Sequence, residues 1–134
     1  MLSDAEISRV LCVAAHPDDI DYGAAGTVAG LTGRGVQVGY CVITDGQAGE
    51  AAGTPRDQIA ALRQQEQRLA AQLVGVSELS FLGYPDGALT PGFELRRELA
   101  GLIRRFRPDV VITHSPQRNL DQLYASHPDH LAAG

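Results

Sequence analysis

The sequence predicts an α/β fold in which helices cover both faces of a parallel sheet. Three observations predict it. Short apolar runs rich in β-formers alternate with longer segments of helical spacing, in a βαβαβαβ pattern. Polar or Gly-rich segments follow the runs, as βα turns do. All four histidines, His16, His114, His127 and His130, stand at or after the carboxyl end of such a run. Open parallel sheets bind their ligands just beyond those ends. A Rossmann-like strand order of 3-2-1-4 sets strands one and four side by side, so that the first and last histidines reach one crevice.

The elements follow in order. Residues 1–8 are a polar lead-in. Strand one covers about residues 9–15, and the loop 16–21 carries a polar cluster. A helix rich in Gly and Ala runs over about 23–34; its small residues suit close packing on the sheet, and Gly33 and Gly35 suit its stop. Its spacing is G-x-x-G-x-x-x-G, which is not a dinucleotide fingerprint. Strand two covers 36–44, with Val36, Val38, Tyr40, Val42 and Ile43 as β-formers. The Gly-rich acidic loop Asp45-Gly46-Gln47-Ala48-Gly49-Glu50 follows it. Pro55 begins a helix to about Val74, with Ile59, Leu62, Leu69 and Leu73 as its inward stripe. Arg63 and Glu66 on it read as an i,i+3 surface pair.

Strand three is short, about 78–82, and Gly83-Tyr84-Pro85-Asp86-Gly87 is a turn by composition. A helix over 93–106 turns Leu95, Leu99, Leu102, Ile103 and Phe106 inward, and Pro108 follows its end. Strand four covers 109–113 and delivers His114. After a polar loop, Ser126-His127-Pro128-Asp129-His130-Leu131 reads as a capped helix start with Pro in the first turn. The apolar edge Val110-Val111-Ile112 is expected to be covered by another chain or by further residues.

Composition narrows the function. A length of 134 residues predicts one domain with a real core. A net charge of -5 argues against nucleic acid and anionic membrane as partners. No apolar run is long enough for a span, and Met1-Leu2-Ser3-Asp4 lacks a signal-peptide pattern. Cys12 and Cys41 lie inside predicted strands and read as buried free thiols of a reducing compartment. The expected localisation is cytoplasmic, and a homo-oligomer is left open.

The stretch Ala15-His16-Pro17-Asp18-Asp19 holds an imidazole and a carboxylate three residues apart. Such a pair can hold one divalent ion, while a second carboxylate handles a proton. By itself it reads equally well as a solvated turn whose Asp caps the next helix. The second cluster, His127-Pro128-Asp129-His130, tips the balance, because the predicted strand order brings His-x-x-Asp and His-x-x-His together. Two His and one Asp with an open fourth position suit a catalytic zinc, and the same set takes Fe²⁺ or Mn²⁺. The remaining Asp18, His127 and Asp129 supply a base, an electrophile and outer support.

These motifs, with the Thr44-Asp45-Gly46 turn between them, resemble the LmbE-like (PIG-L) zinc N-deacetylases over nearly the whole chain. The resemblance implies removal of an acetyl or other acyl group from small N-acylated amino sugars of the N-acetylglucosamine type, including precursors of low-molecular-weight thiols. It implies His16, Asp19 and His130 as zinc ligands and Asp18 as general base. It implies His127 as oxyanion stabiliser or proton donor to the amine, oriented by Asp129. Arg63 and Asp86 match substrate-contacting positions. Ile20 stands where many members carry Glu, and Tyr124 is offset from a Tyr that precedes the last motif in some members. Members usually continue for many tens of residues, so residues 1–134 are expected to form the N-terminal portion of one longer domain. Two other readings stand beside this one: a non-catalytic metal- or sugar-binding domain, and a metal phosphoesterase. The second lacks a basic cluster or phosphate-cradling loop.

Overall fold

The computed structural model describes residues 3–49, 53–121 and 123–134. Glu50 of the expected acidic loop and the side chain of Tyr124 lie outside the described part. The main elements are β1 (Arg9–Ala14), α1 (Asp19–Thr32), β2 (Gln37–Thr44), α2 (Ile59–Leu73), β3 (Glu78–Tyr84), α3 (Phe93–Phe106), β4 (Val110–Ile112) and α4 (Pro128–Ala133). The sheet order is β3-β2-β1-β4, with every pairing parallel. Both match the expectation.

β1 is central because both its faces are apolar. Val10, Cys12 and Ala14 pack with Ile20, Val28 and Leu31 of α1 and Ala71 of α2. Leu11, Val13 and Ala15 pack on the other face with Leu95, Leu102 and Phe106 of α3 and Ala133 of α4. A strand sandwiched between helices must be apolar throughout, which is how β1 reads. Cys12 and Cys41 belong to opposite faces and are free. Burial pushes both thiols up to about 12. The start of β1 is tied to β4 by Asp109, whose carboxylate accepts the Ser8 N–H (2.8 Å) and the Arg9 N–H (2.9 Å).

Three expectations need correction. α1 begins at Asp19, earlier than the Gly-rich run; Asp19 and Asp21 in its first turn suit the positive end of a helix. In α2 the inward face is Ile59, Gln67 and Ala71, while Leu69 (55% exposed) and Leu73 (88%) face outward. That helix is oriented by polar contacts of Arg63 and Gln67, described below. In α3, Ile103 is 39% exposed, whereas Leu95, Leu102 and Phe106 are buried as expected. Val111 on the β4 edge is also exposed. Among the described residues no helix is long and apolar enough to cross a membrane.

Gly39 of β2 lies against the Phe106 ring of α3. A Cβ there would lie 2.7 Å from the Phe106 ring, and that ring is itself fixed, with the Arg9 guanidinium 4.7 Å from its centroid. Gly39→Ala should therefore destabilise the chain by about 1–3 kcal/mol through overpacking. Urea denaturation measures it, and an unchanged midpoint would contradict the packing described.

Candidate metal centre

The turn after β1 and the start of α4 meet because β1 pairs with β4. His16 is half-buried; Asp19, Asp129 and His130 are buried. The His16 Nδ1 lies 3.3 Å from Asp19 Oδ2 and 3.3 Å from His130 Nε2. The His130 Nε2 lies 3.1 Å from Asp19 Oδ1. Three electron-pair donors from sequence-distant segments thus crowd one point. Donors at about 2.0–2.1 Å from a tetrahedral ion stand about 3.3–3.4 Å apart, so His16 Nδ1 and His130 Nε2 have the spacing of two ligands to one zinc-sized cation, with one Asp19 oxygen beside each. The three expected ligands are brought together.

The other nitrogen of His16 fixes its tautomer. Nε2 lies 3.1 Å from both Asp129 Oδ2 and Asp86 Oδ1. Carboxylates only accept, so Nε2 carries a proton, and a cation bound at the cluster would displace the proton on Nδ1 and take its lone pair. Burial works against a charged His16, but Asp19, then Asp86 and Asp129, outweigh it and raise its pKa to about 9. Burial also opposes charge on Asp19, yet the His114 and His16 side chains, the His16 N–H and His130 hold it far below the usual carboxylate range. His130 is lowered, first by burial, and a neutral imidazole is the ligating form.

Asp129 lies against both His16, through its carboxylate, and His127, through its backbone N–H. Its Oδ2 accepts the Gly87 N–H (2.7 Å) and its Oδ1 the Leu89 N–H (3.0 Å), while the His16 ring meets Oδ2. Its carboxylate orients His16. The backbone N–H of residue 129 donates to His127 Nδ1 at 3.2 Å. That bond leaves the proton of a neutral His127 on Nε2. The His127 ring stands edge-on to His16, 4.9 Å between centroids. Asp86 is tied in as well, accepting the Ala48 N–H at 3.2 Å.

Asp18 and Asp19 diverge. Asp18 has a left-handed backbone (φ 89°, ψ -24°) and makes no side-chain cap to α1. Such a conformation costs a non-Gly residue of order 1–3 kcal/mol. Its carboxylate meets the Arg63 guanidinium at 2.6 Å, and Arg63 also donates to the Pro17 carbonyl at 3.1 Å. Gly46 (φ 65°) backs this turn; a Cβ there would lie 3.0 Å from the Pro17 ring. His16, Asp18, Arg63, Asp86 and His127 line one cleft of about 320 Å³, and Asp19 and His130 wall both it and a neighbouring cleft of about 660 Å³.

Two residues at the site lie outside the sequence-based assignment. His114, placed at the end of β4 without a role, accepts the Ala15 N–H at 3.1 Å, stacks on His130 at 4.1 Å and stands 3.3 Å from Asp19. Gln67 lies outside the apolar stripe expected of its helix; it is buried and reaches Asp18 and Asp21. Its one signal was its place one turn after Arg63.

Fold and site together define a class: a Rossmann-like α/β domain with a His/Asp cluster, able to hold a divalent cation, at the carboxyl end of its central strand. The family model described as "PIG-L: GlcNAc-PI de-N-acetylase" matches residues 11–134. The chain is 39% identical over 133 residues to a probable N-acetyl-alpha-D-glucosaminyl L-malate deacetylase 2 of Bacillus anthracis, covering 94% of this chain and 56% of that protein. It is 35% identical over 130 residues to the diacetylchitobiose deacetylase of Thermococcus kodakarensis, covering 96% and 47%. The solved N,N'-diacetylchitobiose deacetylase from Pyrococcus horikoshii superposes with a TM-score of 0.89 at 34% identity, covering 97% of this chain and 48% of that one. This chain belongs to the PIG-L (LmbE-like) family. It spans about half the length of the curated relatives it matches.

The buried Asp129 carboxylate gives a first test of the geometry. Asp129→Asn keeps volume but sets an amide donor against the Gly87 or Leu89 N–H. The metal-free chain should lose about 1–3 kcal/mol, read by urea unfolding at pH 7. Its contacts with these N–H groups and His16 lower the Asp129 pKa against the opposing effect of burial. That stabilisation is present above the ordinary carboxylate pKa and is lost as pH falls through the depressed value. The difference between parent and variant should therefore shrink in acid. A difference that grows in acid would contradict it.

Proposed function

We propose that this chain is the metal-holding part of a zinc-dependent N-deacetylase domain acting on N-acetylglucosamine-type small molecules. One observation carries the reading: His16, Asp19 and His130 converge within 3.1–3.3 Å of one another in the cleft that Asp18 and His127 also line. The names of the relatives, deacetylases of glucosaminyl malate and diacetylchitobiose, support the substrate class.

His16 through Nδ1, Asp19 and His130 through Nε2 would hold the ion. When bound, it supplies Lewis acidity, polarising an amide carbonyl and lowering the pKa of water. Asp18 takes the proton of the attacking water as the water oxygen bonds to the acyl carbon. The His127 Nε2–H donates to the oxygen on which charge develops. The C–N bond breaks, the nitrogen takes the proton from Asp18, and an amine and a carboxylic acid leave, the acid passing its remaining proton to solvent. Arg63 and Asp86 offer donors and an acceptor to the sugar hydroxyls in the same cleft.

The adjacent carboxylates provide the test, in the whole protein with an N-acetylglucosaminide as substrate. Asp18→Asn should lower kcat by roughly 10²–10⁴ with metal content near one per chain. Asp19→Ala removes a ligand and should lower metal content itself, with partial recovery in excess zinc. Near-normal turnover by Asp18→Asn, or loss of metal from that variant alone, would overturn the assignment. Metal binding by the parent without turnover of any such substrate would favour a non-catalytic domain.

A further inference from the structure

Asp is among the best helix N-caps when its backbone is extended and its carboxylate folds back on the first turn. Asp18 precedes α1 and its carbonyl accepts the first helical bond, from the Tyr22 N–H at 2.9 Å. Yet its backbone is left-handed and its carboxylate caps nothing in the helix. Something must satisfy the Asp18 N–H and hold the turn in that conformation. The buried Gln67 side chain does so. Its Oε1 accepts the Asp18 N–H at 2.8 Å. Its Nε2 donates to Asp21, at 3.0 Å and 3.2 Å from the two oxygens. The two contacts use the two ends of one amide, so its orientation is unambiguous.

Gln67 is fully buried on a helix whose nearby leucines are exposed, so α2 is turned to present it. Arg63, four residues earlier on the same face, takes the Pro17 carbonyl and the Asp18 carboxylate. α2 thus grips the turn at three points. We propose that Gln67 is a positioning residue for Asp18: it holds the left-handed turn that diverts the carboxylate from helix capping into the cleft. The inference rests on the reading of Asp18 as the proton acceptor.

Two variants of the whole protein separate the ends of the amide. Gln67→Lys keeps a donor for Asp21 and removes the acceptor for the Asp18 N–H. Gln67→Glu combined with Asp21→Asn keeps that acceptor and restores a donor at position 21. Gln67→Lys should lower kcat by about 10–100-fold, the scale of a small misplacement of a catalytic group, with metal content and KM unchanged. The double variant should keep a kcat near the parent's. In an Asp18→Asn background, Gln67→Lys should cause no further loss, because it acts through a carboxylate already gone. The proposal is overturned if Gln67→Lys keeps the parent kcat, if both variants lose kcat alike, or if the loss recurs undiminished in the Asp18→Asn background. Full turnover by Asp18→Asn itself would instead remove the reading on which the proposal rests.

Discussion

Three residue pairs decide where the chemistry sits: Val10 with Val110, Leu11 with Val111 and Cys12 with Ile112. This short ladder places β4 beside β1, and with it the segment leading to α4 beside the turn that follows β1. Without it His16 and Asp19 would lie far from His130, 114 residues on from His16 in the chain. The ladder holds because β1 is apolar on both faces and is packed between helices on each side. Core packing thus does more than stabilise the domain: it brings two short motifs into one site.

What those motifs create is electrostatically demanding. Two imidazole nitrogens and a carboxylate face one another in a buried setting, where uncompensated charge is costly. A proton or a cation among them relieves that cost, and the proton on the far side of His16 is already claimed by Asp86 and Asp129. Those carboxylates are fixed in turn by the Ala48, Gly87 and Leu89 N–H groups. The loops after β2 and β3 therefore contribute to the aim of His16 without touching the ligand point. Outer contacts of this kind set ring orientation and ligand basicity.

Much of this was legible in the sequence because it follows from local pattern. The four strands, their order, the bounds of α3 and the convergence of His16, Asp19 and His130 come from apolar runs, helical spacing and the position of histidines. The clearest miss has a physical cause, which is polar contact over long sequence distance. The stripe assigned to α2 failed because Arg63 and Gln67, bonded to a turn some 45 residues earlier, outweighed Leu69 and Leu73 in choosing the inward face. The resemblance pairs Asp129 with its neighbour His127, and in the structure backbone donors 40 residues away and the His16 ring also meet its carboxylate. Hydrophobic periodicity carries no record of such partners. Nor does it show that Asp18 adopts a left-handed backbone, since nothing in His-Pro-Asp-Asp demands one.

The central claim is that one ion is held by His16 Nδ1, Asp19 and His130 Nε2. Anomalous diffraction at the zinc edge, on crystals of the protein prepared with zinc, tests it most directly. The account predicts a single strong peak bonded to those three side chains, at about 2.0–2.2 Å from each, with the His16 Nε2 turned toward Asp129. A peak seated on another set of residues, or three side chains drawn apart with the ion bound to fewer of them, would contradict it.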